Sequence, residues 1–124
     1  MTDTVVVTDY DFADLSIESA ALEDADVELR GEYARTPEEV IEVAEGADAL
    51  LVQYADITDE VFEALPDLQA VGRYGIGVDS IDLDAASAHG VPVVNVPDYC
   101  IEEVPTHTLA LLLACVRKIP SYDR

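Results

Sequence analysis

The amino-acid sequence predicts an α/β fold in which helices cover both faces of a five-stranded parallel sheet with strand order 2-1-3-4-5. Short apolar runs alternate along the chain with helical patterns, which is typical of parallel strands joined by right-handed crossovers. One run, Ala49–Val52, is apolar at every position, as expected for a strand buried on both faces. The length of 124 residues fits one domain. The expected class is therefore a doubly wound, flavodoxin-like sandwich.

Five segments have the composition of strands. They are rich in β-branched and other apolar residues and are bounded by polar or glycine-containing loops. The second alternates apolar with charged residues and is expected at an edge of the sheet. In chain order the segments are Val5–Val7, Asp26–Arg30, Ala49–Val52, Leu68–Arg73 and Val91–Val96.

Five helices are expected between and after these strands. Thr36 precedes Pro37 and is followed by Glu39, the spacing of a capping box with proline at the first helical position. Gly46 and Gly90 stand where helices are expected to stop. The expected helices are Ser16–Glu23, Thr36–Glu45, Thr58–Glu63, Asp82–Ala88 and Val104–Lys118.

Four loops follow strands at the carboxyl edge of the sheet, where folds of this class bind ligands. They comprise residues 8–11, 53–56, 74–79 and 97–102. In the third, Gly75 and Gly77 allow backbone N–H groups to face a small anion. Ser80 stands where a dinucleotide fingerprint has its third glycine, so this loop is not a Rossmann motif.

Three side chains that carry or can carry positive charge need an interpretation. Arg73, beside the glycine loop, either supports a bound anion or pairs with an acid such as Asp79 or Asp82, and pairing is slightly favoured. His89 lies at a helix end, where the helix dipole favours a cation. His107, in the first turns of the last helix, is expected on a helix face and is not assigned to catalysis.

The charge of the chain is extreme. Six basic residues against 27 acidic ones give a formal net charge of −21, and the acids are spread among apolar positions. Such a surface repels nucleic acid and anionic membranes, so neither is an expected partner. Acid-rich, lysine-poor surfaces suit a salt-rich cytoplasm, which leads to the hypothesis of a halophilic source.

Several further classes of protein are disfavoured. Cys100 and Cys115 have no metal-ligand spacing and are expected to be buried free thiols, and no metal site is expected. The amino terminus does not resemble a signal peptide, and the apolar run Thr108–Val116 is too short to span a bilayer. A soluble cytoplasmic protein is expected.

A long pattern from about Ala49 to Pro120 resembles the D-isomer-specific 2-hydroxyacid dehydrogenase family, and the D-3-phosphoglycerate dehydrogenases are the expected subgroup. Before Ala49 the likeness rests on the order of elements. The pattern departs from the family's usual residues at Ser80, Pro105 and Thr106. The residues that carry it are Arg73, Gly75, Gly77, Asp79, Ile81, Asp82, Gly90, Val91, Asn95, Pro97, Arg117 and Pro120.

The resemblance implies that residues 1–103 form the substrate-binding lobe of a two-lobed NAD-dependent enzyme. The carboxylate of a small 2-hydroxy or 2-oxo acid would lie on amides of the loop Gly75, Ile76 and Gly77, and Ile76 would also touch the nicotinamide side of the NAD. Gln53, Tyr54 and Ala55 would help to close the site, with Arg73 nearby. The NAD-binding lobe and the catalytic arginine, glutamate and histidine are expected outside this chain, which alone would be inactive.

Residues 104–124 are expected to form an interlobe helix and the start of the crossing segment. The helix Val104–Lys118 is apolar nearly all round, and a lone small domain cannot cover it. Pro105 fits only within its first turn. A homo-oligomer, such as a dimer formed through this helix, is therefore expected.

Two other functions remain open from the residues. A phosphoacceptor receiver domain has the same fold, and Asp9 and Asp11 could imitate its acidic pocket. Against it, the third strand ends in Gln53-Tyr54 without an aspartate, and the loop after the fifth strand lacks a lysine. The chain could also be a stand-alone regulatory remnant of a dehydrogenase.

The charge hypothesis gives a direct prediction. The melting temperature of the protein should rise steeply with KCl concentration, because salt screens the repulsion among the acids. Thermal unfolding followed by circular dichroism from dilute buffer to molar KCl measures this. A melting temperature that does not change with salt would contradict a halophilic origin.

Overall fold

A computed structural model describes residues 2–122 and contains the expected parallel sheet, with strand order 2-1-3-4-5. Each neighbouring pair is parallel, and the second strand lies at an edge as expected. The strands are β1 (Asp3–Val7), β2 (Val27–Gly31), β3 (Ala49–Val52), β4 (Ala70–Arg73) and β5 (Val93–Val94).

Helices connect the strands and follow them. Thr36 forms the expected capping box: its hydroxyl accepts the N–H of Glu39 at 3.3 Å, and the Glu39 carboxylate accepts the N–H of Thr36 at 3.1 Å. Gly90 ends the fourth helix in the left-handed conformation, with φ of 71°. The helices are α1 (Ser16–Ala21), α2 (Pro37–Val43), α3 (Asp59–Ala64), α4 (Leu83–His89), α5 (Glu103–Val116) and α6 (Ile119–Tyr122).

Several elements are shorter than the sequence predicts. Strand β4 begins at Ala70 and not at Leu68, and α2 and α5 each end two residues before the expected end. Strand β5 is confined to Val93–Val94 because Pro92 and Pro97 have no N–H to donate, and Val96 donates instead to the Gly75 carbonyl at 3.0 Å. Helix α1 ends at Ala21, two residues before the expected end. The expected crossing segment, residues 117–124, contains the short helix α6, and residues 123 and 124 lie outside the described residues.

The core lies between the sheet and the helices. Val6, Leu50 and Val71 of the central strands are fully buried, and Val40 of α2 and Phe62 of α3 pack against the sheet. Burial of such side chains contributes about 1.5–3 kcal/mol each to folding. This core fixes the carboxyl ends of the strands, and therefore the loops that follow them.

Helix α5 projects from this core with no buried residue. Pro105 lies in its first turn, as the sequence requires. Leu109 is 57% exposed and Leu113 53%. Cys100 and Cys115 are free thiols, but the prediction that they are buried is wrong. Cys100, in the loop before α5, is half-buried, and Cys115 is exposed because no other element among residues 2–122 covers its helix. No helix within residues 2–122 is long and apolar enough to cross a membrane.

Candidate functional site

A fully buried carboxylate organises the carboxyl edge of the sheet. Asp9 follows β1, and its side chain accepts the backbone N–H groups of Gln53, Tyr54 and Ala55 at 3.2, 2.9 and 3.2 Å. The hydroxyl of Thr8 donates to the same carboxylate at 3.0 Å. Three successive amides that converge on one oxygen pair form a nest, which suits an anion. The side chain of Asp9, which follows β1, therefore fixes the backbone of the loop after β3.

One cation lies beside this carboxylate. The Arg35 Nε is 3.8 Å from Asp9 Oδ2, and its guanidinium carbon lies 5.0 Å from the ring centre of Tyr54 and 5.5 Å from that of Tyr33. The planar guanidinium suits contact with aromatic faces. Arg35 is therefore engaged by the Asp9 carboxylate and two rings.

A second acid ties the same loops together at the surface. Gln53 Nε2 donates to Asp11 Oδ1 at 2.6 Å, and the Asp11 backbone N–H donates to Gln53 Oε1 at 2.9 Å. The Tyr54 hydroxyl donates to Asp11 Oδ2 at 3.3 Å. Asp11 thus binds side chains of the loop after β3, and Asp9 binds the backbone of the same loop.

The glycine loop after β4 leaves several consecutive amides available. The N–H of Gly75 donates to the Arg73 carbonyl at 2.9 Å, whereas the N–H groups of Ile76, Gly77, Val78 and Asp79 have no acceptor among residues 2–122. Gly77 is exposed and Ile76 is 45% exposed. Two adjacent N–H groups can bind a carboxylate. The donors next to the turn are therefore Ile76 and Gly77, with Gly75 used for the turn itself.

The two glycines have different physical requirements. Gly75 has φ of 139°, a conformation that side-chain-bearing residues rarely adopt, and a Cβ there would overlap the Arg73 guanidinium. Gly77 has no such φ, and a Cβ there would meet only Asp79 Oδ2 at 3.6 Å. The turn requires glycine at 75, whereas at 77 the absence of a side chain leaves room for a ligand.

Arg73 is folded back under this loop. Its Nη1 donates to the Tyr74 carbonyl at 2.9 Å, and its buried Nε has no acceptor in the described part of the chain. The expected ion pair with Asp79 or Asp82 is not formed; Asp82 instead accepts the N–H of Ala85 at 2.9 Å and caps α4. The Arg73 charge is left to act on the anion site through space.

Neighbouring segments hold the glycine loop from both sides. The Asn95 side-chain amide donates to the Ile76 carbonyl at 2.8 Å, and Val96 donates to the Gly75 carbonyl. Further along, Ile57 donates to the Ser80 carbonyl at 2.8 Å. These bonds fix carbonyl groups of the loop and leave the N–H groups of Ile76 and Gly77 free.

A cleft of about 380 Å³ adjoins the glycine loop. Gly75 lines it, together with side chains from the loops after β1, β3 and β5. The Phe12 and Tyr74 rings meet edge to face, with centres 5.4 Å apart. The other lining residues are Asp11, Gln53, Val96 and Tyr99.

The Tyr74 hydroxyl serves as a neutral donor in this cleft. It donates to Glu18 Oε1 at 2.9 Å. Burial, and then the hydrogen bond to the Glu18 carboxylate, raises the pKa of Tyr74 well above its ordinary value. Tyr74 therefore remains protonated at neutral pH and is unsuited to act as a base there.

The structure brings together most residues that the sequence predicts for the site. Gln53 and Gly75 line the cleft, Ile76 and Gly77 offer free amides, and the Arg73 guanidinium lies against Gly75. Among the other predicted residues, Tyr54 donates to Asp11, and the N–H of Ala55 donates to Asp9. His107 lies on exposed α5. His89 lies in the last turn of α4, as expected, where it contacts Asp59 at 2.9 Å and stacks on Phe62.

Sequence reasoning did not assign Phe12, Tyr99 or Val96 to the site, although each lies in or directly beside a loop predicted at this edge. The feature of the sequence that could have indicated them is the presence of large apolar residues in or next to loops that should be polar. No cluster of three potential metal-binding side chains occurs in residues 2–122.

The fold defines the class as a doubly wound parallel α/β domain, and comparison with known proteins gives the family. The profile for the D-isomer specific 2-hydroxyacid dehydrogenase catalytic domain matches residues 5–111. The chain belongs to this family.

Individual relatives agree. The chain is 46% identical over 105 residues to D-3-phosphoglycerate dehydrogenase of Mycobacterium bovis, covering 84% of this chain and 20% of that protein. It superposes on Aquifex aeolicus D-lactate dehydrogenase in complex with NAD and lactic acid with a TM-score of 0.79, at 26% identity over 96% of this chain and 35% of the other.

NAD is also bound by the 3-phosphoglycerate dehydrogenase of Entamoeba histolytica. That structure has a TM-score of 0.66 and 30% identity, over 76% of this chain and 32% of the other. NAD is thus the cofactor used in the family. The chain spans about a fifth of the length of the first curated relatives that it matches.

The role of Asp9 gives a stability prediction. Asp9→Ala should lower the free energy of unfolding by about 3 kcal/mol, because the N–H groups of Gln53, Tyr54 and Ala55 lose their acceptor. Urea denaturation at fixed salt measures the change.

Asp24→Ala is the matched control, since it removes an exposed acid and should change stability by less than about 0.5 kcal/mol. Equal effects of the two substitutions would show that Asp9 acts only through net charge.

Proposed function

We propose that the chain forms the substrate-binding lobe of an NAD-dependent D-2-hydroxyacid dehydrogenase and is inactive by itself. The observation that carries the proposal is the pair of acceptor-free N–H groups at Ile76 and Gly77, next to Gly75, which lines the cleft and lies against the Arg73 guanidinium. A carboxylate bound there receives two hydrogen bonds and the attraction of one cation. In a protein with net charge −21, such local donors are what make anion binding favourable.

The role of this lobe is orientation. A 2-hydroxy acid held by its carboxylate has a restricted position for the neighbouring hydroxyl carbon, which lowers the entropic cost of reaction. The proton-transfer groups of the reaction are not assigned to any residue of this chain. Binding and positioning are therefore the functions assigned to Ile76, Gly77 and Arg73.

NAD fits this arrangement at one contact. The Ile76 side chain is 45% exposed next to the anion site, and Asn95 fixes its carbonyl, so an apolar surface is available for the nicotinamide side. When bound, NAD supplies the acceptor for the hydride. This lobe offers no dinucleotide fingerprint in the loop at 75–80.

The similarity to D-3-phosphoglycerate dehydrogenases favours that branch of the family. A small 2-hydroxy or 2-oxo acid is the proposed ligand, in a cytoplasmic setting. Nucleic acid is not a proposed partner, since the net charge of −21 opposes it. Asp9, which would have to contribute to an open acidic pocket in a receiver domain, is 0% exposed here, and this disfavours the signalling alternative.

A second copy of the chain is the proposed partner of α5. Leu109, Leu112, Leu113 and Val116 are each more than half exposed and share one face of the helix at spacings of three and four residues. An apolar stripe of this kind needs cover in water. We place the dimer contact on this face.

Carboxylate binding can be measured directly on the 124-residue chain. Titration of the ¹⁵N-labelled protein with glycolate should shift the backbone amide signals of Ile76 and Gly77 most, because they are the free donors. Gly77→Ala should fold normally but bind glycolate roughly tenfold more weakly, since its methyl group occupies the space of the ligand. Gly75→Ala should also lose about 1–3 kcal/mol of stability, from its strained φ.

The two alanine variants separate binding from folding. A Gly77→Ala protein that binds glycolate normally, or glycolate shifts elsewhere only, would refute the anion site. With NAD and 2-hydroxy acids the chain alone should produce no NADH. Turnover by the isolated chain would contradict the proposal that it is inactive alone.

The dimer proposal is tested by light scattering. The chain should have about twice the mass of one copy at micromolar concentration, and Leu112→Glu should make it monomeric by placing a charge in the apolar contact. Ile17→Glu introduces the same charge at a residue that is 80% exposed on α1, and should leave the dimer intact. A monomer at all concentrations would overturn the assignment.

A further inference from the structure

The cleft beside the anion site contains aromatic groups and one acid. Phe12 and Tyr74 meet edge to face, and Tyr99 lies on the same cleft. A substrate whose carboxylate is held at Ile76 and Gly77 can extend its remaining part past Gly75 into this cleft. The lining residues therefore decide which remainder this lobe accepts.

No basic side chain among residues 2–122 lines the cleft. Of the two arginines near the site, Arg35 is 3.8 Å from Asp9 and lies against two rings. Arg73 donates to the Tyr74 carbonyl beneath the glycine loop. The lobe thus provides one region of positive potential, which the carboxylate already uses.

The charged group that does line the cleft has the opposite sign. Asp11 is held by the neutral donors Gln53 and Tyr54, at 2.6 and 3.3 Å, and forms no ion pair within the described chain. The Tyr74 hydroxyl is a neutral group that donates to Glu18, so it brings no positive charge to the cleft. A second negative group in the cleft would face Asp11 with no cation to offset the repulsion.

We propose that this lobe selects 2-hydroxy or 2-oxo acids whose remaining part is uncharged and aromatic or apolar, and disfavours those that carry a second anion such as a phosphate ester. The proposal rests on the proposed function and names its substrate class. Flat apolar groups pack against the Phe12 and Tyr74 rings, whereas Asp11 repels a phosphate. The lobe would then differ in selectivity from the D-3-phosphoglycerate dehydrogenases that it resembles in sequence.

The experiment compares three probes on the ¹⁵N-labelled chain: glycolate, D-phenyllactate and D-3-phosphoglycerate, in the same KCl buffer. D-Phenyllactate should bind at least threefold more tightly than glycolate and shift the signals of Phe12 and Tyr74. D-3-Phosphoglycerate should bind at least threefold more weakly than glycolate. Asp11→Asn, which keeps the size of the side chain and removes its charge, should narrow the difference in affinity between glycolate and D-3-phosphoglycerate.

Asp67→Asn is the charge-matched control, because Asp67 is exposed and lies outside the cleft lining. It should leave the order of the three probes unchanged. Tighter binding of D-3-phosphoglycerate than of glycolate, or phenyllactate shifts that avoid Phe12 and Tyr74, would overturn the selectivity proposal alone. No shift at Ile76 and Gly77 with any probe would overturn the proposed function itself.

Discussion

The site depends on the buried carboxylate of Asp9. Burial of a charge is costly unless hydrogen bonds compensate it, and here three backbone amides and one hydroxyl supply them, with Arg35 close by. Because the three amides belong to the loop after β3, the Asp9 carboxylate, which follows β1, determines the path of that loop. The loop in turn places Gln53 on the cleft and both Gln53 and Tyr54 against Asp11. One acid thus links the sheet to the ligand-binding surface.

Two anionic groups bind backbone amides at the carboxyl edge of the sheet, each through a different loop. The internal one, Asp9, takes the amides of residues 53–55. The external one, in our proposal, takes the amides of Ile76 and Gly77, which the turn at Gly75 leaves without acceptors. Backbone donors suit a chain with only six basic residues, since they attract a carboxylate without adding a mobile side chain. Arg73 adds the charge while being held under the loop.

Most of the fold could be predicted from the sequence because its signals are local. Strand order, the capping box at Thr36 and the stop at Gly90 follow from alternation and cap chemistry. The glycine loop was also readable. The length of β5 could not be predicted in the same way. The prolines at 92 and 97 weaken its hydrogen bonding at the edge of the sheet. Asp9 was recognised only as an acid after a strand; its role depends on amides 44–46 residues away, which no local pattern encodes.

The central claim is that a substrate carboxylate binds the free amides of Ile76 and Gly77 in the glycine loop. A crystal structure of the chain with D-phenyllactate tests it most directly. The account predicts carboxylate oxygens at about 2.9 Å from the nitrogen atoms of Ile76 and Gly77, with the phenyl ring packed against Phe12 and Tyr74. A carboxylate bound instead at Arg35, with the glycine-loop amides facing only water, would contradict it.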